Sequence, residues 1–209
     1  MTKLEKFTSM MEAYLGRNGF DTELASDIST TSKNTETSVS LCSSSMRVID
    51  MDRFARQGYR KIILPVSETE DDSINTADAF MINRNNEWYF VEFKDAKLGN
   101  SKQSILKKAY SNLYAVLDVL YEMKKEKEAY PDFPYEDPIH FIQEHVTYIL
   151  VFSGAKNPLD AEQMLNYIKI RKKYLPIFMK RLQGYIYKEA YAVTEDEFEK
   201  NFLTHFYYA

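Results

Sequence analysis

The chain has 209 residues, of which 44% are hydrophobic, and its formal net charge is −4. This length suits one domain spanning residues 1–209, with enough apolar residues to bury a sizeable core. Because the pI is near 5.5, the chain is not expected to coat nucleic acid by bulk charge, and any phosphate-binding surface has to be local. The single cysteine, Cys42, excludes stapling by disulfides.

Targeting and membrane segments are also not indicated by the sequence. No run reaches the roughly 18 to 20 apolar residues that a membrane span requires. The first residues lack the apolar core and small-residue cleavage site of a signal peptide. These features predict a cytoplasmic protein that makes no membrane contact.

The first half of the chain alternates between periodic and irregular stretches. Hydrophobic spacing predicts helices over residues 3–16 and about 46–57. Between them, residues 26–45 are rich in Ser, Thr and Asn and are expected to form a loop or disordered insertion outside the core. A short apolar strand is predicted over residues 61–66, followed by an acidic loop over residues 67–75.

The second half has the pattern of a sheet whose strands are separated by helices. The predicted elements are strands over about 76–83 and 87–95, a long helix over 101–127, a strand over 146–152, a helix over 159–182 kinked near Pro176, an edge strand over 184–193 and a final helix over 194–206. This order suits an α/β layered domain with a mixed sheet.

The strand over residues 87–95 carries charges where burial is expected. Strand side chains alternate, so Phe90, Glu92 and Lys94 share one face, while the opposite face is also apolar. Such a strand is typical of the centre of a sheet. Because an unpaired buried charge is costly, Glu92 and Lys94 require partners.

The hairpin register decides which partner Glu92 has. A three-residue loop over 84–86, with Asn86 tolerating the left-handed conformation, places Asp78 opposite Glu92. A two-residue loop would instead place Asp78 opposite Phe93 and separate the carboxylates. The three-residue loop is preferred because it groups the charges.

Such a group of side chains suits phosphodiester chemistry. Two carboxylates at adjacent strand positions can hold Mg²⁺, which prefers oxygen ligands and activates a water molecule. The lysine two residues beyond Glu92 lies on the same face, where its ammonium can orient that water or stabilise developing charge.

The residues Ala77-Asp78 and Glu92-Phe93-Lys94 resemble the motif of the PD-(D/E)xK nuclease superfamily. The resemblance implies a restriction-endonuclease-like three-layer core, in which helices flank a mixed central sheet. It also implies that Asp78 and Glu92 bind metal, that Lys94 is catalytic and that Gln103 supports the site. Ala77 replaces the leading proline of the family.

The resemblance further implies cofactors and partners. The expected cofactor is Mg²⁺ or Mn²⁺, and the expected substrate is nucleic acid, with DNA preferred over RNA. Lys97, Lys102 and Lys107 are the expected phosphate contacts, and Lys107 stands where some members of the superfamily carry tyrosine. Nucleases that cut both strands often work as dimers, so a homodimer is among the expected assemblies. Endonucleolytic and exonucleolytic cleavage both stay open.

Two less specific interpretations stay open beside the nuclease. Glu92 and Lys94 can form an ordinary ion pair at a strand end, which is worth about 1 kcal/mol or less if exposed. The chain can also be a non-catalytic binding or regulatory protein that retains the nuclease-like fold. Lys107 and Lys108 are by default expected on a solvated helix face.

Overall fold

The computed structural model of the chain describes residues 1–34, 37–64 and 74–206. Within these ranges six strands form one mixed sheet, and their order in the sheet follows their order in the chain. Antiparallel pairing joins the first four strands, whereas the fifth is parallel to the fourth and the sixth to the fifth. The strands are β1 (Ala25–Asp27), β2 (Arg47–Asp50), β3 (Ala79–Ile82), β4 (Trp88–Lys94), β5 (Val146–Phe152) and β6 (Glu189–Thr194).

Helices connect these strands and cover the sheet. They are α1 (Lys3–Arg17), α2 (Ile28–Thr31), α3 (Met51–Phe54), α4 (Arg60–Ile63), α5 (Lys102–Lys125), α6 (Pro138–His145), α7 (Pro158–Lys169), α8 (Glu195–Glu197) and α9 (Thr204–Phe206). Residues Ala55–Tyr59 and Phe198–Leu203 form π-helical turns, and Leu98–Asn100 and Ile177–Met179 form 3-10 turns. Among the helices of the described ranges, none is both long and apolar enough to cross a membrane.

Both faces of the sheet are buried. On one face, Phe80 and Phe90 pack in a cluster with residues of α1 and α5. On the other face, Val91 and Ile149 pack against Phe198 and its neighbours near the end of the chain. Helices therefore lie on both sides of a mixed sheet, which confirms the predicted α/β class. β5 has the predicted bounds, and all of its residues are buried.

The hairpin of β3 and β4 has the register expected for a three-residue loop. Phe80 lies opposite Phe90. Asn86 makes the turn with a φ of 63°, in the left-handed region that asparagine tolerates. Extended by one residue beyond the pair of Ala79 and Val91, this register places Asp78 opposite Glu92, as predicted from the sequence.

The prediction of a strand over residues 61–66 is wrong for the part of this range that the structure describes. Residues 61–63 are helical and belong to α4. Residues 65–66 lie outside the described residues, as do residues 67–73 of the predicted acidic loop. A short apolar run cannot by itself distinguish a strand from a helix, and Ile63 is in fact exposed.

Two further expectations for the first half are wrong. The helix predicted over 46–57 begins later, because Arg47–Asp50 pairs between β1 and β3 as β2. Parts of the 26–45 segment, predicted as a loop outside the core, belong to β1 and α2. Ile28 and Leu41 of this segment are buried in the cluster that covers one face of the sheet. Their burial holds the segment against the sheet.

The helix predicted over 159–182 is shorter than expected. α7 ends at Lys169, and Arg171 then has a φ of 57°, a left-handed conformation that commonly ends helices. The edge strand predicted over 184–193 corresponds to β6, which lies at one edge of the sheet.

Candidate functional site

The candidate site lies at the carboxyl end of β4. Glu92 and Lys94 project from one face of this strand, beside the carboxyl end of the parallel strand β5. Asp78 reaches the same place because its backbone N–H donates to the Val91 carbonyl at 3.1 Å, which continues the hairpin. The three side chains that were predicted as a group are therefore brought together.

A fourth side chain, Lys108 of α5, joins the two carboxylates. Its Nζ lies 3.3 Å from Asp78 Oδ1 and 2.9 Å from Glu92 Oε2. The Glu92 side chain is fully buried, and the Lys108 side chain is only 15% exposed. Lys94 Nζ lies 3.4 Å from the other Glu92 oxygen, Oε1. The formal charges of the four side chains cancel when all are ionised.

The two carboxylate oxygens that Lys108 does not contact, Asp78 Oδ2 and Glu92 Oε1, differ in their hydrogen bonding. Asp78 Oδ2 accepts a hydrogen bond from the Phe93 backbone N–H at 2.6 Å, which fixes the orientation of the Asp78 side chain. Glu92 Oε1 is buried and accepts a hydrogen bond from no donor in the described residues, although the Lys94 ammonium lies within ion-pair distance of it. A buried oxygen in that situation is rare in folded proteins and calls for an explanation.

Burial dominates the titration of this cluster. Burial, followed by the nearby Asp78 carboxylate, raises the pKa of Glu92 to about 7, although Lys108 and Lys94 oppose the shift. Burial also raises the pKa of Asp78 against the opposing effect of Lys108. Burial by itself would lower the pKa of Lys108, but the Glu92 and Asp78 carboxylates outweigh it and raise that pKa. The Lys108 ammonium is therefore held in its charged form.

A polar cleft of about 430 Å³ opens at this end of the sheet. Asp78, Lys94 and Lys108 line it, and residues 30–34 and Asp50 form further parts of its wall. The Asp50 side chain caps the first turn of α3, and burial raises its pKa. The cleft has a size typical of ligand sites, and Glu92 lies buried beside it.

Asp95, the residue after Lys94, anchors one wall of the cleft. Its Oδ2 accepts hydrogen bonds from Asn34 Nδ2 at 3.3 Å and from Thr37 Oγ1 at 3.1 Å. Its Oδ1 lies 2.8 Å from Lys156 Nζ. Although burial acts to raise the pKa of Asp95, the hydrogen bonds from Lys156 and Thr37 lower it below its usual value. These contacts hold part of the Ser- and Thr-rich segment against the site.

Asn157 fixes the backbone that leaves β4. Its Oδ1 accepts a hydrogen bond from the Leu98 N–H at 2.8 Å, and its Nδ2 donates to the Ala96 carbonyl at 2.9 Å. Because Asn157 and Leu98 are buried, the bond between them satisfies polar groups that water does not reach. The course of the chain beyond Lys94 is held in this way.

The other predicted site residues lie on the surface. Gln103 is exposed on the first turn of α5, and Lys97, Lys102 and Lys107 are exposed as well. The supporting role of Gln103 and the phosphate contacts of the three lysines stay predictions.

Sequence reasoning missed Lys108 and Asn112 as members of the site. Both lie on the side of α5 that faces the sheet, where Ile105, Ala109 and Val116 are buried at helical spacing. Lys108, which was expected on a solvated face, instead reaches the carboxylates. Polar residues that interrupt an apolar helix stripe are the signal that could have identified both residues.

The carboxylates fit a hard divalent cation. Within the described residues, no group of three or more His, Cys, Asp and Glu side chains forms a ready-made metal site. Asp78 and Glu92 nevertheless supply two adjacent carboxylates, and Glu92 Oε1 is the buried oxygen that lacks a hydrogen-bond donor there. Mg²⁺ keeps several waters and is commonly held by only one or two carboxylates.

Comparison with known proteins adds no assignment to this geometry. No protein-family model matches the chain, and neither the curated proteins nor the solved structures give a match. The function is therefore inferred from the chemistry of the residues around the cleft.

Proposed function

We propose that the chain is a metal-dependent nuclease that hydrolyses phosphodiester bonds, with DNA as the expected substrate. The observation that carries this proposal is the juxtaposition of Asp78, Glu92 and Lys94 at the border of a polar cleft. Burying the Glu92 carboxylate there is costly. A strongly shifted carboxyl beside a cleft favours a functional reason for that cost.

The order of the elements supports the same proposal. In the restriction-endonuclease-like core, a helix precedes three strands, and a second helix leads to a further strand. Here α1 precedes the antiparallel strands β2, β3 and β4, and α5 leads by way of α6 to the parallel strand β5. The additional strand β1 comes between α1 and β2 and lies at the edge of the sheet. This agreement favours the proposed superfamily.

The residues have distinct roles in this proposal. Asp78 and Glu92 hold Mg²⁺ or Mn²⁺, which when bound polarises the phosphodiester and makes an attacking water more acidic. The Lys94 ammonium orients the attacking water or stabilises the negative charge that develops on the phosphate. Gln103 supports the site from α5. Contacts to the substrate phosphates come from Lys97, Lys102 and Lys107.

A second candidate is a non-catalytic binding or regulatory protein with the same fold. The observation that favours it is the Lys108 ammonium, which itself compensates the charge of Asp78 and Glu92. In that case the cluster is a buried ion network that holds β3, β4 and α5 together, and breaking it would be costly. The two candidates differ in whether the carboxylates bind a divalent cation.

Cleavage assays on the full chain separate these candidates. Single-stranded DNA, plasmid DNA and single-stranded RNA are each incubated with the protein and Mg²⁺ or Mn²⁺, with EDTA as the reference. Glu92→Gln is compared with the matched variant Glu87→Gln at the opposite end of β4, where Glu87 pairs with Lys188 at 2.9 Å. For a nuclease, Glu92→Gln should lose about a hundredfold or more in rate, while Glu87→Gln keeps its activity.

Two results would change this proposal. Equal cleavage by the wild-type chain and Glu92→Gln would reject the site. No cleavage of any substrate, together with no binding of Mn²⁺, would favour the non-catalytic candidate. Light scattering on the active protein would test the expected homodimer.

A further inference from the structure

The Lys108 ammonium bridges the two carboxylates that are proposed as metal ligands. Its Nζ contacts one oxygen of each, Asp78 Oδ1 at 3.3 Å and Glu92 Oε2 at 2.9 Å. The side chain extends from the face of α5 that packs on the sheet, and it also lines the cleft. One cation of the chain itself is therefore held by both carboxylates.

Few oxygens of this pair are left for another cation. Asp78 Oδ2 is engaged by the Phe93 N–H at 2.6 Å. An ion that takes one oxygen from each carboxylate must therefore share Asp78 Oδ1 with Lys108 or share Asp78 Oδ2 with the Phe93 N–H. Because metal–oxygen distances are only about 2.0–2.1 Å for Mg²⁺, the ion and the ammonium would be close neighbours. Repulsion between them is poorly screened in a buried site.

We propose that the Lys108 ammonium and a divalent cation compete for the Asp78 and Glu92 carboxylates, so that the metal binds as Lys108 withdraws towards the cleft. This inference rests on the proposed nuclease function, in which the same carboxylates hold the metal. The competition weakens the affinity of the site for the metal, because Lys108 already balances the charge of the carboxylates.

A purely structural Lys108 predicts a different response. If the ammonium only holds the carboxylates in place, its removal disorders them and leaves metal affinity unchanged or lower. If it competes with the metal, its removal raises the affinity. Metal binding thus separates two roles that a loss of stability alone would not separate.

Binding of Mn²⁺ to the full chain tests the competition. Isothermal titration calorimetry compares the wild type with Lys108→Met, which keeps a long aliphatic side chain and removes the charge. Lys188→Met is the matched control, since Lys188 pairs with Glu87 at 2.9 Å at the other end of β4. The Kd for Mn²⁺ should fall about tenfold or more in Lys108→Met, as expected for close charge pairs, and stay unchanged in Lys188→Met. Adding Glu92→Gln to Lys108→Met should abolish the gain.

The outcomes distinguish this inference from the nuclease proposal. Equal or weaker binding by Lys108→Met, with measurable binding by the wild type, overturns the competition and leaves the nuclease proposal standing. No Mn²⁺ binding by either protein removes the metal site and both proposals with it. Mn²⁺ binding by Lys108→Met, with no binding by the wild type, supports the strongest competition, in which Lys108 keeps the metal out of the wild-type site.

A measurement on the wild type covers the case in which Lys108→Met fails to fold. Lysine amines are reductively methylated with formaldehyde and a borane reductant, and the labelling of each lysine is followed by mass spectrometry. Competition predicts that saturating Mg²⁺ increases the labelling of Lys108 several-fold and leaves that of Lys188 unchanged. Unchanged labelling of Lys108, at a Mg²⁺ concentration shown to saturate the site, would overturn the inference.

Discussion

The Asn112 side chain on α5 accepts a hydrogen bond from the backbone N–H of Ala77 at 2.7 Å. Both residues are fully buried, and Ala77 immediately precedes Asp78. Lys108 lies four residues before Asn112 and so faces the same way on the helix. One face of α5 therefore fixes the backbone at Asp78 and also supplies the ammonium that the Asp78 carboxylate contacts.

Replacing Asn112 by Ala should lower the free energy of unfolding by about 1 to 3 kcal/mol, because the buried Ala77 N–H loses its acceptor. Urea denaturation of the full chain measures this loss. Asn166→Ala is the control, since Asn166 is exposed on α7 and such surface changes usually stay within about 0.5 kcal/mol. A loss for Asn112→Ala no larger than that of the control would contradict this role.

The hairpin of β3 and β4 could be predicted from sequence down to its register. Alternating apolar residues determine which side chains share a face, and a left-handed Asn86 suits a three-residue loop. Together these two features place Asp78 opposite Glu92. The strand over 146–152 could be predicted for a similar reason, because its β-branched and aromatic residues are typical of a strand covered on both sides.

Strands and helices whose conformation depends on residues far away in the sequence could not be predicted in this way. β2 has four residues and forms between β1 and β3. Over so short a run, its pattern does not differ from the start of a helix. Residues 61–63 are apolar enough for a strand, but they continue the helical stretch that begins at Met51. In both places tertiary context decides the structure.

The rotation of α5 explains why the site was only partly predicted. The sequence placed Gln103 and Lys107 one turn apart on one face, and the family resemblance directed attention to that face. The helix instead turns Ile105 and Ala109 towards the sheet, which brings Lys108 to the carboxylates. Packing of the whole buried stripe sets this rotation, and no single residue reveals it.

Replacing Lys108 by Met should lower the free energy of unfolding by about 2 to 4 kcal/mol, because the buried Glu92 and the partly buried Asp78 carboxylates lose their shared cation. Denaturation in EDTA measures the effect without bound metal. Lys188→Met removes a more exposed ion pair and should cost about 1 kcal/mol or less. Adding Asp78→Asn and Glu92→Gln to Lys108→Met should recover most of the loss. No recovery would show that the Lys108 side chain stabilises the chain by packing rather than by charge.

The stability of the chain should depend on pH through Glu92. Burial raises the pKa of Glu92 from 4.5 to about 7. Between these values the folded carboxyl keeps a proton that the unfolded chain has lost. The proton on Glu92 therefore contributes fully to the free energy of unfolding below about pH 4.5, and this contribution is lost as the pH rises through about 7.

Glu92→Gln isolates this contribution because Gln stays neutral over the whole range. The unfolding free energy of Glu92→Gln minus that of the wild type should increase by about 1 to 3 kcal/mol between pH 4.5 and 8. Urea denaturation at several pH values, in EDTA, measures the difference. A difference in unfolding free energy that stays constant or falls as the pH rises would contradict the raised pKa of Glu92.

Lys97, Lys102 and Lys107 are exposed around the start of α5, where we expect them to contact substrate phosphates. Each such contact releases counterions, so changing all three lysines to Gln should reduce the slope of log K against log salt by roughly 2 to 3. Fluorescence anisotropy with a labelled oligonucleotide, over a salt series in EDTA, measures the slope without cleavage. The matched control changes Lys124, Lys125 and Lys127 to Gln.

That control removes the same number of charges at the other end of the helix. At a rise of about 1.5 Å per residue, Lys124 and Lys125 lie about 30 Å along the helix axis from Lys102 and Lys107. At physiological salt this exceeds the screening length of about 8 Å, so the control should keep a slope close to that of the wild type. Equal reductions in both variants would mean that the slope follows total charge, which would contradict specific phosphate contacts by Lys97, Lys102 and Lys107 near the cleft that Asp78 lines.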